Sequence, residues 1–225
     1  MIKLAPSILS ADFARFGEQV AAACAAGADY IHVDVMDGQF VPEITFGAAL
    51  VRALKRSGYA TVPLDVHLMV VEPERQIPLF ADAGADIITI HAEACPHLHR
   101  AIGRIKALGA RAGVALNPGT PIQSVIEVLP DLDLLLLMTV DPGYGGQPFI
   151  AGMERKIARA RRRLDDGGLA AELAVDGGIN ATTAPLAAKA GARVLVAGSA
   201  IFNSTMSVAA ALAALRQSLA AVEGV

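Results

Sequence analysis

A chain of 225 residues that is 54% hydrophobic can bury a large core and has room for one domain or two. Its formal charge of −3 is thinly spread, and its one basic run, residues 155–163, is expected as the solvated face of a helix, which argues against a nucleic-acid partner. The longest aliphatic run, residues 132–138, is far shorter than the roughly 20 residues that cross a bilayer, so no membrane contact is expected. With no secretory h-region at the amino terminus, and with Cys24 and Cys95 in no metal or redox spacing, a reduced cytoplasmic protein is expected.

In chain order, strands are expected at residues 2–9, 30–36, 62–69, 87–91, 112–116, 134–140, 172–176 and 194–197. Alanine-rich amphipathic stretches lie between them, as at 16–26, 76–83 and 181–190. One phrase recurs ahead of a strand, a glycine between small residues, at Gly27, Gly84, Gly109 and Gly191. Each of these glycines is placed to end a helix at φ > 0 and turn the chain into the next strand. Their separations fit two, one and three units of about 27 residues, and eight such units fill the chain without a linker. Strict alternation of strand and helix implies a parallel sheet. Eight units favour a closed (β/α)8 barrel, a single catalytic domain over residues 1–225, with its site at the C-terminal strand ends.

The second strand places a polar row where a core strand should be apolar. Side chains alternate in a strand, so His32, Asp34 and Met36 share one face and Val33 and Val35 the other. The third strand repeats the device with Asp65 and His67, and the seventh ends in Asp176. His32, Asp34, His67 and Asp176 offer two imidazoles and two carboxylates from three strands. Buried carboxylates left unpaired are costly without a cation, and mixed nitrogen and oxygen ligation suits one divalent Zn, Fe, Mn or Co ion better than Mg or Ca. Asp65 is open to two roles, ligand or partner of a ligand. His91 is expected as a pocket wall or hydrogen-bonding residue, His97 and His99 as solvent-facing, and Asp37 as a turn residue.

Three glycine loops follow the last three strands: Gly143, Tyr144, Gly145 and Gly146 after the sixth, Gly177 and Gly178 after the seventh, Gly198 and Ser199 after the eighth. Backbone N–H groups in such loops approach an anion closely, and barrel phosphates sit after strands seven and eight. Met36 and Met69 lie on the ligand face, where thioethers can wall a reacting carbon from water, and Met138 lies in the sixth strand.

The segments PSILSADF, HVDVMDGQFVP, DVHLMV, TVDPGYGGQPF, VDGGI and AGSAIF, in this order from Ala5 to Phe202, closely resemble the ribulose-phosphate 3-epimerase family. The resemblance implies a (β/α)8 isomerase of carbohydrate metabolism, in the pentose phosphate pathway, interconverting D-ribulose 5-phosphate and D-xylulose 5-phosphate. It implies a divalent metal on His32, Asp34, His67 and Asp176, with Asp34 and Asp176 as the acid/base pair. Ser7, His67, Asp176 and the residues of the three glycine loops match substrate-binding positions. A homo-oligomer acting on a small sugar phosphate is the expected assembly. Glu43, Thr139, Asp141 and Tyr144 depart from the family's commoner residues, outside the metal and acid/base set. The spelling of residues 139–143 also resembles epimerases of hexulose phosphates such as D-allulose 6-phosphate, which remain the alternative. A sugar-phosphate decarboxylase would need Asp-x-Lys-x-x-Asp, and residues 32–37 hold no lysine.

Overall fold

A computed structural model describes residues 1–223; the last two residues of the expected 1–225 domain lie outside the described residues. The strands are β1 (Lys3–Pro6), β2 (Ile31–Met36), β3 (Leu64–Met69), β4 (Ile87–His91), β5 (Arg111–Leu116), β6 (Leu134–Met138), β7 (Glu172–Asp176) and β8 (Val194–Ala197). All pair in parallel, in the order β1-β8-β7-β6-β5-β4-β3-β2. The sheet curls until its edges meet. The Asp29 and Tyr30 N–H groups donate to the Leu4 carbonyl, and Ser7 bridges His32, which joins β1 to β2 and gives the expected (β/α)8 barrel.

Helices α1 (Phe16–Ala25), α2 (Ala48–Ser57), α3 (Ile77–Ala83), α4 (Leu98–Ala107), α5 (Met153–Asp166), α6 (Ala184–Lys189) and α7 (Val208–Glu223) cover the outside. The four repeated glycines have φ of 88°, 97°, 87° and 114°, values an L side chain resists, so they do turn the chain into the following strand. Outward strand residues such as Val33, Val35, Leu135 and Leu137 pack against the helices, while Ala5, Leu136, Ala174, Val194 and Val196 fill the barrel's middle.

The elements differ from expectation where local chemistry intervenes. The first strand stops at Pro6 rather than residue 9, because the Ser7 hydroxyl accepts the Leu9 N–H and starts a 3-10 turn, Ile8–Ser10. The sixth stops at Met138 rather than residue 140, where the Thr139 N–H and hydroxyl bend across to the Asp176 carbonyl at 2.7 and 2.9 Å. Between β5 and β6 two 3-10 turns, Ile122–Val125 and Leu129–Asp131, stand where an α-helix would complete the ring. Prolines at 118, 121 and 130 bound this segment. The basic run is only partly a solvated face. Lys156 is 5% exposed on the inner side of α5 with Ile157, Ala160 and Leu164, and donates to the Asn117 and Pro118 carbonyls at 2.6 and 3.2 Å.

Candidate active site

The β2–β3 register sets the site. His32 lies opposite Asp65, Asp34 opposite His67 and Met36 opposite Met69, all six buried. Asp176 enters from β7, next to Val196 of β8. Four donor atoms, one each from His32, Asp34, His67 and Asp176, lie within 4.8 Å of one another. His32 Nε2 is 3.2 Å from Asp34 Oδ1 and 3.8 Å from Asp176 Oδ2, and His67 Nδ1 is 3.1 and 3.8 Å from the same oxygens. Ser7 donates its hydroxyl proton to Asp34 Oδ2 at 2.5 Å. Asp65 takes the supporting role of the two open to it. His32 Nδ1 donates to its Oδ2 at 2.7 Å, which turns Nε2 toward Asp34 and Asp176.

Electrostatics separates the two carboxylates facing the cleft. Burial raises the Asp34 pKa, but the His32 and His67 imidazoles outweigh it and hold the carboxyl well below its ordinary value. Burial and the neighbouring Asp34 charge push Asp176 the other way, to about 7. Burial also disfavours a charged His32, yet Asp34 and Asp65 hold its pKa well above the usual imidazole value. Three carboxylates around two imidazoles thus crowd negative charge into a dry space, and Asp65 Oδ1 has no hydrogen-bond partner. A divalent cation bound by mixed nitrogen and oxygen ligands fits this donor set.

A cleft opens above the cluster, with Asp34 and Asp176 in its lining. Met36, Met69 and Met138 form its apolar side, and all of the expected loop residues, Gly143, Tyr144, Gly145, Gly146, Gly177, Gly178, Gly198 and Ser199, line it together with Ser7. The glycines are sterically required in places. A Cβ on Gly178 would stand 2.3 Å from the Phe149 nitrogen, and one on Gly198 2.6 Å from Ser10 Oγ. Tyr144 is 58% exposed at the outer lip. The Gln147 amide, unremarked from sequence, ties this loop by donating to the Asp141 and Tyr144 carbonyls. Away from the cleft, Asp37 accepts from the Gln39, Phe40 and Val71 N–H groups as a turn residue, and His97 and His99 are exposed. His91 is fully buried behind His67, where it forms hydrogen bonds. Glu93 was missed. It sits two residues beyond β4 in a 3-10 turn, where strand parity no longer applies, and its sequence signal is only its spacing from His91.

Comparison with known proteins agrees with this geometry. The model of the ribulose-phosphate 3 epimerase family matches residues 3–202. The chain is 56% identical over 206 residues to ribulose-phosphate 3-epimerase of Bacillus subtilis, covering 91% of this chain and 94% of that protein. It is 50% identical over 200 residues to the Escherichia coli K12 enzyme of the same name, covering 89% and 88%. It is 51% identical over 205 residues to the chloroplastic ribulose-5-phosphate-3-epimerase of Arabidopsis thaliana, covering 90% and 72%. Among solved structures, 3-hexulose-6-phosphate synthase from Salmonella typhimurium shares the fold at a TM-score of 0.69 and 20% identity, covering 97% of this chain and 98% of that one.

Proposed function

Because the chain belongs to the ribulose-phosphate 3-epimerase family, we propose that Asp34 and Asp176 exchange the C3 proton of ribulose 5-phosphate between opposite faces of the sugar. Epimerisation of ribulose 5-phosphate is the activity of the chain, a carbohydrate isomerase reaction of the pentose phosphate pathway. The C3 proton is α to the C2 carbonyl, so its removal leaves an enediolate. Inversion then requires a proton delivered from the other side. Asp34, held ionised by the imidazoles, is suited to accept the proton, and Asp176, with its pKa near 7, to donate one. In the reverse direction the roles exchange. The observation that carries this reading is geometric: two carboxylates, Asp34 from β2 and Asp176 from β7, line one cleft.

His32, Asp34, His67 and Asp176 would hold one divalent transition-metal ion, Zn, Fe, Mn or Co, in keeping with the metal dependence of the family. Such an ion supplies Lewis-acid stabilisation of the charge that develops as C3 is deprotonated. Ser7 keeps one Asp34 oxygen engaged and so orients the other toward the cluster. The three methionines exclude water from the reacting carbon. The glycine loops after β6, β7 and β8 bind the phosphate through backbone N–H groups, and Tyr144 and Ser199 line the same cleft. We place this chemistry in one catalytic domain over residues 1–225, in a cytoplasmic homo-oligomer. No helix among the described residues is long and apolar enough to cross a membrane.

Turnover of D-ribulose 5-phosphate in D₂O tests the reading. The expected product is xylulose 5-phosphate carrying deuterium at C3, lost on chelation and restored by adding a transition metal. Full turnover in a preparation verified free of metal would remove the Lewis-acid part.

A further inference from the structure

The two ligand histidines are oriented by different means. His32 meets its carboxylate, Asp65, directly. Behind His67 the line is longer: Nε2 lies 2.9 Å from His91 Nε2, and His91 Nδ1 lies 3.1 Å from Glu93 Oε2. We propose that Glu93, acting through His91, is the positioning residue that turns the Nδ1 lone pair of His67 into the metal cluster.

Hydrogen-bond direction carries the argument, resting on the metal reading given above. A carboxylate only accepts, so His91 Nδ1 must carry the proton that faces Glu93. With its proton on Nδ1, a neutral His91 ring offers Nε2 as an acceptor to His67. His67 Nε2 must then be the donor across the 2.9 Å contact. When a cation takes His67 Nδ1, which faces Asp34 Oδ1 at 3.1 Å, that ring keeps its proton on Nε2. Two acceptors confront each other there, an arrangement that a cation between them makes favourable.

Glu93 is built to stay ionised. Burial raises its pKa, but hydrogen bonds from His91, the Thr120 side chain and the Asn117 N–H bring it down to about 2. The Asn117 N–H donates at 2.8 Å, and the buried Lys156 grips the Asn117 and Pro118 carbonyls from α5. Both Glu93 oxygens are therefore engaged, Oε1 by the loop after β5 and Oε2 by His91. A glutamine cannot present acceptors to both, so Glu93→Gln must weaken one contact. The partner of the second imidazole thus lies one residue further out than that of the first, and beyond the reach of strand parity.

Zn²⁺ affinity, measured by competition with a chromophoric chelator in a double-mutant cycle, tests this. Glu93→Gln is expected to weaken Zn²⁺ binding by about 10- to 100-fold, the usual cost of losing such a partner. In a His91→Gln background, where the line to His67 is already cut, the same change is expected to cost less than about twofold. An equal loss in both backgrounds would show that Glu93 merely pins the loop and would overturn the proposal, as would unchanged affinity in the single variant. Nitrogen NMR of histidine-labelled, Zn²⁺-loaded wild-type protein needs no variant to fold. Protons on His91 Nδ1 and His67 Nε2 are expected, and a proton on His91 Nε2 would overturn the inference. Failure of the wild-type protein to take up Zn²⁺ at all would instead strike at the metal reading on which this one rests.

Discussion

The barrel has polar side chains at both mouths, and β7 touches both, with Asp176 at its C-terminal end and Glu172 at its start, about 13 Å apart along the strand. At the lower mouth Glu172 meets Lys3, Tyr30 and Arg111. Tyr30 donates to Glu172 at 2.8 Å and accepts from Lys3 at 2.7 Å and Arg111 at 3.3 Å, and the Lys3–Glu172 ion pair completes the group. Both cations also lie over the Tyr30 ring, 4.9 and 5.1 Å from its centroid. Every charge there has an opposite charge beside it, and Lys3 and Arg111 keep 37% and 39% exposure to water. At the upper mouth carboxylates face imidazoles and one another, nearly dry, with no lysine or arginine among them. A polar cluster satisfied from within belongs to stability, whereas one that lacks a cation belongs to chemistry.

Substitution at the two ends should separate these roles most sharply in turnover. Asp34→Asn and Asp176→Asn are each expected to lower kcat by at least about a thousandfold, combining the roughly 10²–10⁴-fold worth of a positioned acid or base with partial loss of metal. Glu172→Gln, on the same strand as Asp176, is expected to leave kcat within about twofold. Metal content measured beside each rate keeps the two contributions apart. A Glu172→Gln variant as inactive as Asp176→Asn would erase the distinction between the mouths.

The upper mouth also works as a ruler between the acid/base pair and the glycine loops. Those loops cannot spread easily: a Cβ on Gly177 would stand 2.4 Å from Val140 Cγ2, so their packing is already close. A hexulose phosphate inserts one more CHOH between phosphate and C3, and a misplacement of about 1 Å costs on the order of a hundredfold. Side-by-side kinetics should therefore give kcat/KM about a hundredfold higher for ribulose 5-phosphate than for allulose 6-phosphate. Equal or better use of the larger sugar would assign the chain to the hexulose branch.

Much of the upper mouth was legible because strand side chains alternate without exception. His32 and Asp34 had to share a face, His67 had to follow on the next strand, and the motif order placed Asp176 on the seventh. The lower mouth has no such signature. Lys3, Tyr30, Arg111 and Glu172 are scattered over the chain, each at or just before the start of a strand, and only the closed barrel brings them together. The missing helix between β5 and β6 was hidden by the regular size of the units. Lys156 was misplaced by its basic neighbours, yet it lies three residues after Met153 and four before Ala160, on the apolar stripe of α5.

Stability against pH should distinguish the mouths again, more modestly. Asp176 has its pKa raised in the fold, from an ordinary carboxyl value to about 7. Below about pH 4 it is protonated in both folded and unfolded chains, and its favourable contribution is intact. As pH rises toward 7 the unfolded chain ionises freely while the folded one resists, so stability of the metal-free protein should fall across that window. The full shift corresponds to at most about 4 kcal/mol. Asp34, lowered in the fold, acts in the opposite sense, its stabilisation being lost as pH drops below about 4. Asp176→Asn should flatten the decline between pH 4 and 7 and stabilise the metal-free protein at pH 8 while abolishing turnover. A decline that persists in this variant would have to arise from another group.

The smallest effect is expected from Tyr30→Phe. The change removes one hydroxyl and the hydrogen bonds to Glu172, Lys3 and Arg111, but it leaves the ring beneath both cations and the Lys3–Glu172 and Arg111–Glu172 pairs in place. A net hydrogen bond is worth about 1 kcal/mol, and more when a partner is charged. Here both cations are over one-third exposed, so water replaces what the hydroxyl supplied. A loss of about 1 kcal/mol follows, a fall in Tm of about 2–4 °C for a chain of this size. Turnover and metal affinity should stay at wild-type values, because Tyr30 precedes β2 and lies at the opposite end of the barrel from Asp34 and Asp176. Thermal melts paired with kcat decide it. A stability loss without a rate loss keeps the mouths independent, and a several-fold drop in kcat would mean that the apolar middle of the barrel transmits strain from one end to the other.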